Sequence, residues 1–314
     1  MSLDNLGDLV FASALAPPLR ERYPGAVLDV WCKEYTADVA ALVPGARRVI
    51  AADPFWDRAP GRRKGRLWTF LRSVREVRCA RYDVAILAAA PWRTAAAVAA
   101  TRIPVRIGFR RRKNQRFLTH AVDGEDVTKP VLGELARLLA PVGVAPRPLR
   151  YRLDAAPLAD RRQRLARTLP ARFVALHPFA SKRGRCVALP VWRQLSECLA
   201  RRGLATLWIG SRTELDEVRA TSAAGEAARY VDRDTDATLA DSTAALSMAT
   251  LFVGHDSGPL HIAGAFGVPV VGVFAPGEPQ RTFPQGVGPS RMLARPSPAT
   301  ITADELLNEI DALG

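Results

Sequence analysis

The chain has 314 residues, 48% of them hydrophobic and 24% charged, and carries a formal net charge of +14, a size and apolar content that suit two globular domains. No apolar run reaches the roughly 18–20 residues of a membrane span, and the opening "MSLDNLGDLV" lacks the basic-then-apolar pattern of a secretory signal, so a cytoplasmic protein is expected. Cys32, Cys79, Cys186 and Cys198 show no Cys-x-x-Cys spacing and His120, His177, His255 and His261 no ligand pattern, which argues against a disulfide framework and a structural metal.

In chain order, helical patterning over 8–22 leads to a strand-like run at 26–32, a helix at 35–43, a strand at 47–53, a helix at 66–79 and a strand at 82–90. The prolines of "PVGVAPRPLRYRL" interrupt regular structure, and strands resume at 172–180, 204–210, 251–255 and 269–276. Strand and helix in alternation predict an α/β fold of parallel sheets covered on both faces. The natural division is two Rossmann-like domains, residues 1–150 and 151–314. No GxGxxG opens either, which counts against a nicotinamide-dependent enzyme.

Charge is uneven between these halves. Residues 1–150 hold 26 Lys and Arg against 14 Asp and Glu, and residues 151–314 hold 19 against 17. A basic half suits a polyanion, whether phosphorylated substrate, membrane surface or nucleic acid, but it also fits a solvated Arg-rich surface. The excess sits in "PGRRKGRLWTFLRSVREVRCARY" (60–82) and "RIGFRRRKNQRFLTH" (106–120). Leu67, Phe70, Leu71, Val74 and Val77 share a helical face, as core residues would. No DNA- or RNA-reading motif is present, so no nucleic acid is expected as a partner.

"LFVGHDSGPLHIAGAFGVPVVGVFAP" (251–276) places polar residues between a buried strand and an alanine-rich helix. Asp256 or Ser257 can cap that helix, Gly258 permits close backbone approach and Pro259 suits its first position. Exposed N–H groups and the helix dipole there favour a phosphate. The same residues also describe an ordinary capped helix.

"DSGPLHIAGAFGVPVVGVFAP" resembles the donor-binding signature of glycosyltransferase family 9, the bacterial heptosyltransferases, through Asp256, Ser257, Gly258, His261, Gly267, Pro269, Phe274 and Pro276, with Ala275 for the usual Gly. "LDNLGDLVFASALAPPLRERYPGAVLDVWC" is similar to the family's opening, and "LHPFASKR" and "LWIGSRTELDEV" to its intermediate segments. The resemblance implies a GT-B architecture, two Rossmann-like domains facing a central cleft, with acceptor on the N-terminal domain and nucleotide sugar on the C-terminal one. It implies inverting transfer of a sugar, typically heptose from ADP-heptose, to a hydroxyl of a lipopolysaccharide-core or related anionic acceptor. No metal or other cofactor is implied.

Under that resemblance Asp8, in the Gly-Asp pair, is the candidate general base; helix capping is its alternative role. Donor binding is assigned to Ser181, Lys182, Glu214, Asp256, Ser257, Gly258 and His261. The family's lysine position holds Val187, so Lys182 or its neighbours Arg183 and Arg185 would supply the cation. Glu214 is equally well read as a first-turn helix glutamate. Arg62, Arg63, Lys64, Arg110, Arg111, Arg112 and Lys113 are the candidates for gripping a phosphorylated glycolipid acceptor, and peripheral contact with the inner membrane follows from the same charge. The alternative from another class is a noncatalytic polyanion-binding protein on a GT-B scaffold.

Overall fold

A computed structural model describes residues 1–56, 64–221, 228–230 and 238–313. The chain divides into two compact units, Met1–Tyr151 and Arg152–Gly314.

The first unit contains α1 (Leu6–Ser13), α2 (Ala16–Arg22), β1 (Leu28–Cys32), α3 (Ala37–Ala40), β2 (Ala46–Ala51), α4 (Leu67–Cys79), β3 (Val84–Ile86), α5 (Trp92–Ala100), β4 (Val105–Phe109), β5 (His120–Val122) and α6 (Val131–Arg137). The helix expected over 8–22 is two helices, because Pro17 and Pro18 fall in the first turn of α2, where a missing N–H breaks no helical bond. β1 pairs in parallel with β2, and β3, β4 and β5 form a second parallel sheet. Between the sheets lie Met1 and Ser2. Ser2 donates its N–H to the Trp31 carbonyl (3.0 Å), and the Met1 amino group reaches the Ile86 carbonyl (2.7 Å).

β4 and β5 were concealed in the sequence by the arginines around them; their inward residues Ile107 and Phe109 are buried all the same. On α4 the buried side is Phe70, Ser73 and Val77, while Leu67 and Leu71, expected in the core, are exposed beside Trp68. Positions 67, 68 and 71 turn away from the Phe70–Val77 line at 100° per residue, so the helix cannot bury both sets.

The second unit contains α7 (Ala159–Leu165), β6 (Phe173–His177), α8 (Leu189–Arg201), β7 (Ala205–Trp208), α9 (Arg212–Ala220), β8 (Ala228–Tyr230), α10 (Leu239–Leu246), β9 (Leu251–His255), α11 (Gly258–Ala265), β10 (Val270–Phe274), α12 (Pro279–Thr282), β11 (Ser290–Ala294) and α13 (Ala303–Asp311). Among the described residues its sheet is wholly parallel, in the order β8-β7-β6-β9-β10-β11. Every residue of β6, β9 and β10 is buried, which is why these strands read as unbroken apolar runs. Trp192 and Leu195 of α8 and Leu306 of α13 pack on the sheet within one apolar cluster. Chain order reverses between β6 and β9, and the loops that leave these strands therefore diverge and open a crevice at their carboxyl ends.

Candidate functional site

The loops after β6 and β9 carry most of the donor-site candidates. β9 approaches β6 closely at Gly254, where a Cβ would stand 2.9 Å from the His177 carbonyl and 2.7 Å from the Phe252 ring. His255 follows on the same strand, fully buried, and its Nε2 accepts the backbone N–H of Val187 at 3.0 Å. Burial pushes the His255 imidazole down to about 4, the neighbouring His177 adds to the shift, and bonding with the Val273 backbone opposes it. His177 donates from Nδ1 to the Ile209 carbonyl (2.8 Å) and is likewise held below the ordinary histidine range by burial. Two neutral histidines thus pin the ends of the strands that frame the crevice.

Asp256 stands at the turn into α11. Its Oδ2 accepts the Thr282 hydroxyl at 3.0 Å and its Oδ1 lies 3.4 Å from Nε2 of the buried His261. Thr282 was not foreseen, since it lies on α12, a short helix with no signal linking it to the Asp-Ser-Gly turn. Ser257 is the N-cap residue by backbone geometry, yet its hydroxyl donates backward to the His255 carbonyl (3.1 Å) and makes no side-chain cap. Gly258 takes the first helical position and Pro259 the second. The N–H groups of Ser257, Gly258 and Leu260 lie before the first turn closes and so find no carbonyl within the helix. The turn can receive an anion.

Across the switch point, the loop after β6 is folded on itself: the Ala180 N–H donates to Cys186 Sγ (3.3 Å) and the Arg185 N–H to the Lys182 carbonyl (2.9 Å). Ser181 and Lys182 are exposed. Arg183 pairs with Glu217, whereas Lys182 and Arg185 have no carboxylate partner among the described residues. Val187, where the resemblance implies a lysine, is 2% exposed and packs in the core. Glu214 forms the capping box of α9, its Oε2 accepting both the N–H and the hydroxyl of Ser211 at 2.8 Å.

In the first unit, Asp8 is the third residue of α1 and half-buried; its Oδ2 accepts the Asn5 N–H at 3.2 Å. The capping role foreseen for it is therefore present in the fold. Arg62 and Arg63 lie outside the described residues, and Lys64 is exposed. The run Arg110–Lys113 sits at the carboxyl end of β4 and is split in use: Arg110 lies 3.7 Å from Asp123 and Arg111 3.1 Å from Glu125, while Arg112 and Lys113 have no carboxylate partner among the described residues. What holds this turn is the buried Asn114, which sequence inspection passed over. Its amide donates to the carbonyls of Ala90 (2.6 Å) and Phe109 (2.9 Å), and its oxygen accepts the Arg111 N–H (2.8 Å).

Among the described residues no three His, Cys, Asp or Glu side chains are grouped to hold a metal ion, and no helix is long and apolar enough to cross a membrane.

A family model described as glycosyltransferase family 9 (heptosyltransferase) matches residues 70–298. No curated protein sequence matches the chain. Among solved structures, a glycosyl transferase family 9 protein from Veillonella parvula superposes with a TM-score of 0.81 at 16% identity, over 99% of this chain and 95% of that one. The E. coli ADP-heptose lps heptosyltransferase II gives 0.80 at 19% identity, covering 99% and 97%. The E. coli heptosyltransferase WaaC with ADP gives 0.81 at 16% identity, covering 100% of both chains. At such identities the likeness speaks for the fold, that of GT-B glycosyltransferases.

Proposed function

Because the chain belongs to glycosyltransferase family 9, the heptosyltransferases, we propose that it moves heptose from ADP-heptose, with inversion, to a hydroxyl of a lipopolysaccharide-core or related anionic acceptor. The observation that carries this reading is the crevice between β6 and β9. There the family-like turn Asp256-Ser257-Gly258 and the unpaired Lys182 leave adjacent strands of a sheet whose order reverses at that point.

In this reading the diphosphate of the donor lies on the N–H groups opening α11, with the Lys182 ammonium nearby. The leaving ADP gains a negative charge as the glycosidic bond breaks, and both groups stabilise it. His261 and Thr282 hold the Asp256 carboxylate and so fix the turn. Asp8 takes the proton of the acceptor hydroxyl while that oxygen forms its bond to the anomeric carbon from the face opposite ADP; a positioned base contributes roughly 10²–10⁴ in rate. Capping and catalysis are compatible, because a carboxylate offers about four acceptor sites. No metal enters the proposed scheme.

On the acceptor side, Arg112, Lys113 and Lys64 are the cations left for phosphate. α4 adds a surface for a bilayer: Trp68 is 80% exposed, with Leu67 and Leu71 beside it and Arg72, Arg75 and Arg78 on the following turns. Peripheral contact with an anionic membrane would bring a lipid-borne acceptor to the enzyme. The deciding experiment is release of ADP from ADP-heptose in the presence of lipopolysaccharide-core acceptors of increasing length. Acceptor-dependent release supports the reading; no transfer to any core acceptor, with the donor bound, overturns it.

A further inference from the structure

β3 and β4 run side by side, and the turns that leave them are locked to one another. Asn114, fully buried, donates to the carbonyl of Ala90 after β3 (2.6 Å) and to that of Phe109 at the end of β4 (2.9 Å). Two residues beyond Ala90, α5 opens with Trp92 and Arg93. Trp92 is 41% exposed, and the Arg93 guanidinium lies over its ring, 5.1 Å from the centroid. The buried residues of α5 are Thr94, Ala95 and Val98, and neither Trp92 nor Arg93 belongs to that packed side.

Cations crowd this edge of the sheet. Arg93 joins Arg110, Arg111, Arg112 and Lys113, and all of them are exposed. Asp123 and Glu125 answer Arg110 and Arg111, while Arg93, Arg112 and Lys113 are left without a carboxylate partner among the described residues. Like charges gathered by a buried bridge repel one another, and an anion settling among them relieves that repulsion. The indole beside them suits a different part of a ligand. One face of a sugar ring presents C–H groups, which pack flat on an aromatic ring, while the hydroxyls at its rim stay in water. α1, with Asp8, starts from the same edge: Ser2 pairs with Cys32, the last residue of β1, and the Ala88 N–H donates to the Met1 carbonyl (3.2 Å). The carboxyl ends of parallel strands are where α/β folds bind their ligands.

We propose that Trp92 and Arg93, with Arg112 and Lys113, form a subsite for a sugar ring that carries a phosphate. The ring lies on the Trp92 indole in the place that the Arg93 guanidinium now holds, and the guanidinium turns to the phosphate; an exposed cation–π contact is weak enough to give way to a charge-assisted hydrogen bond. Arg112 and Lys113 meet the same phosphate from the neighbouring turn. The subsite rests on the transfer reading for its place in catalysis, and it gives the acceptor a definite chemistry, since ring and charge are recognised together.

Two measurements keep the subsite and the transfer reading apart. The first needs no turnover. The indole N–H signal of Trp92, identified by its loss in Trp92→Phe, is followed by NMR as mannose 6-phosphate, mannose or inorganic phosphate is added to the full chain. Mannose 6-phosphate is expected to shift it saturably, with a Kd about tenfold or more below that of mannose or phosphate, and Arg93→Ala to raise that Kd about tenfold. No shift, or a shift by phosphate at equal affinity, overturns the subsite. The second is transfer to a lipopolysaccharide-core acceptor before and after its dephosphorylation. Trp92→Ala should raise the acceptor KM about tenfold with little change in kcat or in the Kd for ADP, and Trp92→Phe should recover most of the loss. Arg93→Ala should reduce the preference for the phosphorylated acceptor about tenfold. An acceptor KM unmoved by Trp92→Ala overturns the subsite while transfer stands. A saturable Trp92 shift with no transfer to any core acceptor supports the phosphosugar site and overturns the transfer reading.

Discussion

Val187 and His255 are bonded across the switch point of the second sheet, the backbone N–H of the first donating to Nε2 of the second at 3.0 Å. The bond needs a bare nitrogen, so it holds only while the imidazole is neutral. The Val187 side chain lies in the core cluster with Phe179, Trp192 and Leu195, where a lysine ammonium would be buried without a partner.

A pH dependence follows from that bond. The folded His255 titrates near 4 and an unfolded histidine near 6.5. Between those values the unfolded chain binds more protons, so stability is full above about pH 6.5 and falls as the pH drops toward 4, by about 2 kcal/mol at pH 5. His177 acts in the same direction, and the charge of Asp256, which favours the protonated imidazole of His255, opposes part of the loss. Urea unfolding at pH 7 and pH 5 should show the difference, and His255→Gln should flatten it. A variant with the same pH slope as the parent would remove His255 from this role.

Lys182 should carry more of the donor's affinity than Arg183. Both are exposed, but Arg183 is already engaged by Glu217, and its removal leaves an acidic group behind instead of an empty phosphate contact. Calorimetric titration with ADP is expected to show a Kd raised about tenfold by Lys182→Ala, the scale of one charge-assisted hydrogen bond, and by less than threefold for Arg183→Ala. Equal effects would place the cation elsewhere in the loop.

Those two residues show where the sequence was informative. The apolar runs of β6, β9 and β10 are legible because both faces are buried, and the Asp-Ser-Gly turn is legible because helix entry demands particular residue types. β11 was not: "SRMLA" lies at the sheet edge with Arg291 and Met292 exposed, so its hydrophobic pattern is broken. The short β5 gave a similarly weak signal, three residues long, whereas β3, equally short, was legible within the apolar run at 82–90. Thr282 and Asn114 escaped for another reason. Each acts through one polar side chain meeting a distant segment, and no local period encodes such a meeting.

Asp8 can be tested so that its capping and its proposed chemistry separate. An asparagine keeps an oxygen acceptor for the Asn5 N–H but cannot take a proton from a hydroxyl. Asp8→Asn should therefore leave the Tm and ADP binding near those of the parent while kcat falls by roughly 10²–10⁴. Asp8→Ala should lose turnover and about 1 kcal/mol of stability together. Turnover retained in Asp8→Asn would leave the residue a helix cap and nothing more.

Trp68 offers the clearest handle on the membrane. With 80% of its surface exposed, it contributes little to folding, so Trp68→Ser should leave the Tm within about 1 °C. An indole that enters the interface of a bilayer is another matter, because burial there removes apolar surface from water while Arg72, Arg75 and Arg78 meet anionic headgroups. Co-sedimentation with phosphatidylglycerol vesicles is expected for the parent and reduced about tenfold by the substitution. Added salt should weaken the arginine contribution by screening, and the apolar contribution should persist. If phosphatidylcholine vesicles bind equally well, the arginines play no part, and if Trp68→Ser binds like the parent, the exposed face of α4 is not the docking surface.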